Sequence, residues 1–185
     1  MNSRNHPKSV IVLAAILCVT LAGSVGAQTA AELSQRSRRA LNVLCANNSA
    51  AAKLRSSAVG ILVFPKIVKA GFIVGAQHGE GTLFENGRAV RFYRTTAASY
   101  GLQAGIQKFG YAMFFMNQGD LNYLRQSDGW EFGTGPSVVI VDEGMARTFS
   151  TTSMRKGVYV FTFDQRGLMA GLGLQGSKIT PFRPD

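Results

Sequence analysis

Histidine, cysteine and acidic side chains are scarce in this chain of 185 residues. It contains 2 histidines, 2 cysteines and 10 aspartates and glutamates, against 20 lysines and arginines. Zinc sites draw their ligands mainly from histidine and cysteine, so the composition excludes ordinary zinc sites and predicts no metal or other cofactor. The G-x-S-x-G motif of hydrolases and the phosphate-binding G-x-x-x-x-G-K-[ST] loop are also missing from the sequence. We therefore expect a protein that is not an enzyme.

The first 27 residues have the features of a secretory signal. Two basic residues precede an apolar segment at 10–21, and small residues lead up to Ala27. Cleavage after Ala27 would leave Cys45 as the only cysteine, so no internal disulfide could form. We expect a signal peptide at 1–27 and one domain at 28–185, exported to the periplasm or secreted.

Helical signals are concentrated in the first third of the chain. Thr29 with Glu32 three residues later forms a capping-box pattern, and apolar residues at helical spacing predict a helix over 29–46. A second short helix is predicted over 50–58. A helical turn is predicted near 120–125.

From Ile61 onward, β-branched residues, aromatic residues and glycine predict strands. The predicted strands are 61–64, 70–78, 80–85, 88–94, 98–107, 110–116, 130–134, 137–141, 145–151, 157–164 and 167–174. Turn residues predict a tight turn at 85–87 and a hairpin loop at 164–167. Helices followed by an antiparallel meander predict the α+β class. We expect N-terminal helices packed on a curved, glycine-rich, mainly antiparallel β-sheet or open barrel.

Four short segments begin and end with glycine. They are 71–75, 101–105, 129–133 and 167–171. In a strand, both glycines of such a segment lie on the same face, which is thereby stripped of side chains. Glycines in this arrangement indicate either a sharply curved sheet or a ligand lying close to the backbone, and curvature is the interpretation we favour.

Positive charge is the strongest remaining signal, with a net charge of +10 at pH 7. Arg36, Arg38 and Arg39 cluster in the first predicted helix, and Lys66 and Lys69 follow Pro65. These residues form either a simple solvated surface or a site for an anionic partner. Near an acidic leaflet each Lys or Arg adds about 1 kcal/mol to binding. The export signal argues against nucleic acid as the partner, which leaves an anionic membrane surface.

Three ordered blocks of sequence carry a family resemblance. The first is Ile61-Leu-Val-Phe-Pro-Lys-Ile-Val-Lys-Ala-Gly-Phe72, followed by glycine at 75, 79 and 81. The second is Gly101-Leu-Gln-Ala-Gly-Ile-Gln107, and the third is Gly167-Leu-Met-Ala-Gly-Leu-Gly-Leu-Gln-Gly-Ser177. Together they resemble the SYLF lipid-binding domain family, which is also described as the yeast-type actin-binding family. The resemblance covers about residues 40–182.

The resemblance implies a non-catalytic binding domain. Eukaryotic relatives bind phosphoinositides and other acidic phospholipids, with an N-terminal amphipathic helix and basic residues contributing, and some bundle actin. By this resemblance, Lys66 and Lys69 are the best-matched lipid-binding positions. Arg36, Arg38 and Arg39 occupy the place of the N-terminal helix.

Two departures from the family pattern indicate an exported bacterial branch. The stretch 92–96 lacks the Trp and Pro that many eukaryotic members carry, and Gly110 stands where an acidic residue is common. Such a branch would meet neither actin nor phosphoinositides. We expect it to bind an envelope phospholipid such as phosphatidylglycerol or cardiolipin through basic residues, with an apolar edge inserting shallowly. Two alternatives are a soluble carrier of an apolar ligand and an envelope protein–protein interaction module.

Overall fold

The structure is a computed structural model, and it describes residues 29–71, 74–100, 105–126, 129–131, 136–141, 157–167 and 176–185. The predicted signal peptide lies outside these residues. So do the predicted strand at 145–151 and nearly all of the one at 167–174.

Two helices precede the sheet, as the sequence predicts. Helix α1 spans Ala30–Asn47 and helix α2 spans Ser49–Ser57. The backbone N–H of Glu32 donates to the Thr29 hydroxyl at 3.2 Å, and the Thr29 N–H donates to the Glu32 carboxylate at 3.3 Å. This reciprocal pair is the predicted capping box, which satisfies backbone groups that have no partner within the helix. The side chain of Asn48 caps α2 with a single hydrogen bond, accepted from the Ala51 N–H at 3.0 Å.

Eight strands and a third helix follow in the described part of the chain. The strands are β1 (Gly60–Gly71), β2 (Val74–Glu85), β3 (Arg88–Tyr100), β4 (Gly105–Phe115), β5 (Trp130–Glu131), β6 (Val138–Val141), β7 (Val158–Gly167) and β8 (Lys178–Phe182). Helix α3 (Gln118–Gln126) connects β4 to β5. The predicted helical turn near 120–125 is therefore part of a nine-residue helix.

All eight strands form one sheet in the order β5-β8-β3-β2-β1-β4-β7-β6. Every pairing is antiparallel except that of β6 with β7. The sheet curls strongly into a half-barrel, so the predicted α+β class with a curved, mainly antiparallel sheet is confirmed.

The sheet has two faces with different partners. The inner face carries a cluster that reaches from Ile179 of β8 to Val160 of β7 and includes Phe64, Tyr111 and Trp130. The outer face carries a second cluster, in which α1 and α2 pack on the strands. Both clusters are apolar, and burial of this kind supplies most of the favourable free energy of folding.

The helices cover only one end of the outer face. Residues 60–64 of β1 are buried on both faces, whereas from Lys66 onward only alternate residues are buried. We call the end under α1 and α2 the covered half. The other end is the free half, which consists of residues 66–71 of β1, 74–80 of β2, 105–109 of β4 and 166–167 of β7.

A bulge in β1 marks the boundary between the two halves. The register of β1 with both neighbours shifts between Val63 and Ile67, around Pro65. Pro65 bends the strand without ending it, because β1 continues to Gly71. Proline cannot donate to a ladder hydrogen bond, and a bulge leaves such a residue unpaired.

Some predictions from local sequence are wrong. The predicted strand over 98–107 begins in β3 and ends in β4, which are not neighbours in the sheet. A strand over 70–78 was expected, but Gly71 lies opposite Gly75, so the segment joins two antiparallel strands. A hairpin loop at 164–167 was expected, but β7 continues to Gly167. Asp164 has a φ of 52° and lies where the register of β4 with β7 shifts, so its turn-like residues form a bulge within the strand.

Candidate functional site

The free half exposes apolar side chains on its outer face. Val74 is 57% exposed and Ile106 is 59% exposed. Ala70 of β1 lies opposite both Ala76 of β2 and Ile106 of β4, so these small and aliphatic side chains form one row across three strands. Partners across a ladder lie close together on the same face. The row is therefore a continuous apolar strip in contact with solvent.

Basic side chains border this strip. Lys108 lies opposite Val68 of β1 on one side and Arg166 of β7 on the other. Lys66 is exposed on β1 next to the bulge. Lys66, Lys108 and Arg166 share the outer face with Ile106, because the inward positions of these strands are taken by their neighbours. We call this combination of three basic residues and the strip of Ala70, Val74, Ala76 and Ile106 the outer strip.

Beyond Ile67 and Phe109, which belong to the apolar inner cluster, the inner face of the free half is polar. Lys69 lies opposite Gln77 on β2 and opposite Gln107 on β4. All three side chains are buried, with 6%, 4% and 1% exposure respectively. The amide nitrogen Nε2 of Gln77 donates to the hydroxyl of Ser177, which is fully buried, at 3.3 Å. We call Lys69, Gln77, Gln107 and Ser177 the inner polar row.

The five predicted lipid-binding residues do not converge on one site. Lys66 belongs to the outer strip and Lys69 to the inner polar row, so the sheet separates them. Arg38 is held against the covered half, because its guanidinium donates to the Gly87 carbonyl at 2.9 Å and lies 5.0 Å from the centre of the Phe84 ring.

Arg36 and Arg39 are exposed on α1 and point away from the side that carries Arg38. At about 100° per residue, they lie about 60° apart around the helix, and Val43 lies between them. Val43 is 55% exposed. These three residues form a smaller basic and apolar surface on α1 that is separate from the outer strip.

Other candidate groups are held in local interactions. Glu80 lies 3.9 Å from the Nε2 atom of His78 and accepts a hydrogen bond of 3.3 Å from Arg94. Burial raises the pKa of the Cys45 thiol, and nearby Arg55 opposes that shift in part. A thiol with a raised pKa is largely protonated at neutral pH and is a poor nucleophile.

The family comparison bears on the C-terminal part of the chain. Residues 96–183 match the Ysc84 family model, described as Las17-binding protein actin regulator. The SYLF resemblance is confirmed. None of the curated proteins matches the chain. The SYLF family is known for lipid and actin binding, and its domain is a non-catalytic binding module.

The matched range 96–183 includes five of the eleven residues of the outer strip and the inner polar row, but none of the five predicted lipid-binding residues. Ile106, Gln107, Lys108, Arg166 and Ser177 lie within 96–183, whereas the five predicted basic residues all precede it. Among the described residues, no helix is both long and apolar enough to cross a membrane.

Sequence reasoning missed Gln107, Lys108 and Arg166. The alternation Gly105-Ile-Gln-Lys-Phe109 could have located Gln107 and Lys108 in β4, because it assigns Gln107 to one face and its neighbours Ile106 and Lys108 to the other.

Proposed function

We propose that the protein attaches peripherally to anionic phospholipid through the outer strip, and that it acts as a binding module without catalysis. The observation that carries this proposal is the exposure of Val74 and Ile106 beside Lys66, Lys108 and Arg166. SYLF membership supports lipid binding in general. The choice of anionic lipid and of these residues is our inference from charge and exposure.

Peripheral attachment needs apolar side chains that insert and basic side chains that stay at the headgroups. Three basic residues would add about 3 kcal/mol near an acidic surface. Two half-exposed aliphatic side chains would add about 1–2 kcal/mol each when they leave water. The sum, about 5–7 kcal/mol before the entropy cost of attachment is subtracted, predicts weak and reversible binding.

Helix α1 would provide a second contact. Arg36 and Arg39 flank the exposed side chain of Val43, which repeats the chemistry of the outer strip on a smaller scale. Arg38 would contribute less, because its guanidinium already binds the Gly87 carbonyl. We therefore propose that Lys66 is the main contact among the predicted residues, with Arg36 and Arg39 as auxiliary contacts.

The location of the protein decides between lipid and actin as the partner. If the predicted signal directs the chain to the periplasm or outside the cell, actin is not within reach. An envelope phospholipid is then the partner we propose. A carrier of an apolar ligand is disfavoured by the inner polar row, because polar side chains would have to be left without partners against such a ligand.

Sedimentation of the purified protein with vesicles tests the proposal. We expect binding to vesicles that contain phosphatidylglycerol, no binding to pure phosphatidylcholine, and loss of binding at high salt because exposed charges are screened. Absence of binding to all vesicles would refute lipid attachment.

Three sets of substitutions assign the surface. We expect Lys66, Lys108 and Arg166 changed together to Glu to abolish binding, and Val74 and Ile106 changed together to Ser to weaken it. A control that changes the same number of exposed basic residues, Lys53, Arg88 and Arg183 to Glu, should retain most of the binding. Equal losses in the first set and in the control would mean that net charge, and not the outer strip, is responsible.

A further inference from the structure

The inner polar row carries unused hydrogen-bonding capacity. Neither the amide oxygen nor the amide nitrogen of Gln107 has a hydrogen-bond partner in the described part of the chain, and the amide oxygen of Gln77 has none there either. Lys69 makes no ion pair with any of the described acidic residues. Buried polar groups are normally satisfied, and a buried charge is normally paired. Three unpartnered amide atoms on two glutamines, beside a lysine without an ion pair, are therefore an arrangement that folding alone does not explain.

The inner polar row is followed by glycines toward the end of the sheet. Two residues beyond Lys69, Gln77 and Gln107, the next inward positions are Gly71 at the end of β1, Gly75 near the start of β2 and Gly105 at the start of β4. These three glycines lie opposite one another. Glycine carries no side chain, so these three strands place nothing beyond Lys69, Gln77 and Gln107. At this end of the sheet, Lys69, Gln77 and Gln107 are therefore the outermost side chains that the three strands contribute to the inner face.

The unsatisfied atoms define the chemistry of the ligand. The Lys69 ammonium and the Gln107 amide nitrogen are donors, which suit the oxygens of an anion. The amide oxygens of Gln77 and Gln107 are acceptors, which require a donor on the ligand. A phosphate ester of glycerol has both, because its phosphate accepts and its free hydroxyls donate. A choline headgroup has no donor and carries a fixed positive charge that Lys69 would repel.

We propose that the inner polar row binds a phosphoglycerol group, with Lys69 and the Gln107 amide nitrogen on the phosphate and the two glutamine oxygens on the hydroxyls. The inference deepens the proposed function, because it assigns the headgroup a site of its own on the inner face, separate from the outer strip. It rests on that function only where the phosphoglycerol belongs to a lipid. The same chemistry is offered by free glycerol phosphate in solution, and the experiment separates the two sources.

The first measurement is calorimetric titration of the full-length protein with sn-glycerol 1-phosphate, inorganic phosphate and glycerol. We expect glycerol phosphate to bind at least tenfold more tightly than inorganic phosphate, because only the ester fills both the donor and the acceptor positions. Lys69→Met should weaken that binding at least tenfold, and Gln107→Leu should weaken it severalfold. The matched control is Lys53→Met, which removes an exposed lysine of α2 that belongs to neither the inner polar row nor the outer strip and should leave binding unchanged.

The thermal midpoint of the unliganded variants tests whether Lys69 is there for binding. Replacing an unpaired buried lysine by Met, which has a similar length and no charge, should raise the midpoint by a few degrees. A large fall in the midpoint would show that Lys69 is a structural residue and would overturn the proposal. So would glycerol phosphate binding that is equal in Lys69→Met and the unchanged protein, or absent from both.

A vesicle arm separates the lipid source from the free ester. Vesicles with equal contents of phosphatidylglycerol or phosphatidylserine have the same charge, and we expect tighter binding to the former. Lys69→Met should remove this preference while leaving binding to phosphatidylserine intact. Failure of all vesicles to bind, with calorimetric binding retained, would refute membrane attachment but keep the site as one for a soluble phosphate ester.

Discussion

The covered and free halves of the sheet are built on the same strands, but they differ in which face carries apolar side chains. In the covered half, Ile61 and Val63 point outward under the helices while Leu62 and Phe64 point inward, and all four are buried and apolar. In the free half, the inward position of β1 is Lys69 and the outward position of β4 is Ile106. A half-buried strand of a soluble protein normally has apolar residues inward and polar residues outward. Ile67 and Phe109 of the free half follow this rule, whereas the inward residues Lys69, Gln77 and Gln107 and the outward residue Ile106 reverse it.

The reversal shows where packing alone stops determining the sequence. Burial explains residues 61–64 of the covered half, because each of these apolar residues meets a helix or the inner cluster. Burial does not explain why Gln107 lies inside while its neighbour Ile106 faces solvent. Features that work against stability are expected at functional sites, where a ligand or a surface compensates for them.

The largest expected effect comes from removing a contact of the covered half. Leu54 of α2 is fully buried against the outer face. Leu54→Ala should lower the free energy of unfolding by about 2–5 kcal/mol, because it removes buried methyl groups and leaves a cavity. Ile106→Ala removes a similar volume from the free half and should change the free energy of unfolding by less than about 0.5 kcal/mol. Urea denaturation measures both, and equal losses would contradict the exposure of Ile106.

The boundary between the halves should be the next most sensitive place. A Cβ atom on Gly81 would lie 2.6 Å from the Val63 carbonyl oxygen and 2.7 Å from the Phe64 ring. Gly81→Ala should therefore cost about 1–3 kcal/mol, since it forces apart strands that approach closely at the bulge. At Gly119 in α3, a Cβ would meet only the Asn117 side chain, at 3.2 Å. Gly119→Ala should be close to neutral in the same denaturation experiment.

Local signals made some of this fold predictable. The capping box of Thr29 and Glu32 fixes the start of α1 within four residues of sequence, so its prediction needed no knowledge of the tertiary structure. Alternation along a strand is equally local, and it already separates Lys66 from Lys69, because residues three apart in a strand point to opposite faces.

Long-range partners made the rest unpredictable. The short strand β8 pairs with β3, more than eighty residues earlier in the chain, and its sequence Lys178-Ile-Thr-Pro-Phe182 carries little strand signal of its own. The parallel pairing of β6 with β7 likewise depends on tertiary arrangement. The outer strip could not be inferred from sequence, because Ile106 is exposed only where α1 and α2 do not reach.

A smaller effect on the free energy of unfolding should appear at alkaline pH. This effect reports on the inner face of the covered half. Burial raises the pKa of Tyr111, and the neighbouring Thr95 hydroxyl opposes part of that shift. The unfolded chain would lose this proton near pH 10, whereas the folded protein keeps it. Stability is therefore complete below pH 10 and falls above it, and Tyr111 contributes about 1.4 kcal/mol per pH unit.

Denaturation between pH 9 and 11 measures that contribution. Tyr111→Phe cannot ionise, so its stability should fall less steeply with pH than that of the unchanged protein. Parallel pH profiles for the two proteins would show that the Tyr111 hydroxyl is accessible to solvent in the folded state, and that the inner face of the covered half is not dry.

The smallest expected effect tests how far the helical layer stabilises each half. Thr29→Ala removes the hydroxyl that accepts from the Glu32 N–H, and should cost about 1 kcal/mol. Ser34→Ala is a matched control in the same helix, because the Ser34 hydroxyl donates to the Ala30 carbonyl and alanine is the better helix former. It should be neutral or slightly stabilising.

Hydrogen exchange should then quicken in α1 and at residues 61–63 of β1 in Thr29→Ala, while residues 67–70 exchange as before. Equal quickening along β1 would mean that α1 stabilises both halves and that the boundary at Pro65 does not divide the sheet energetically.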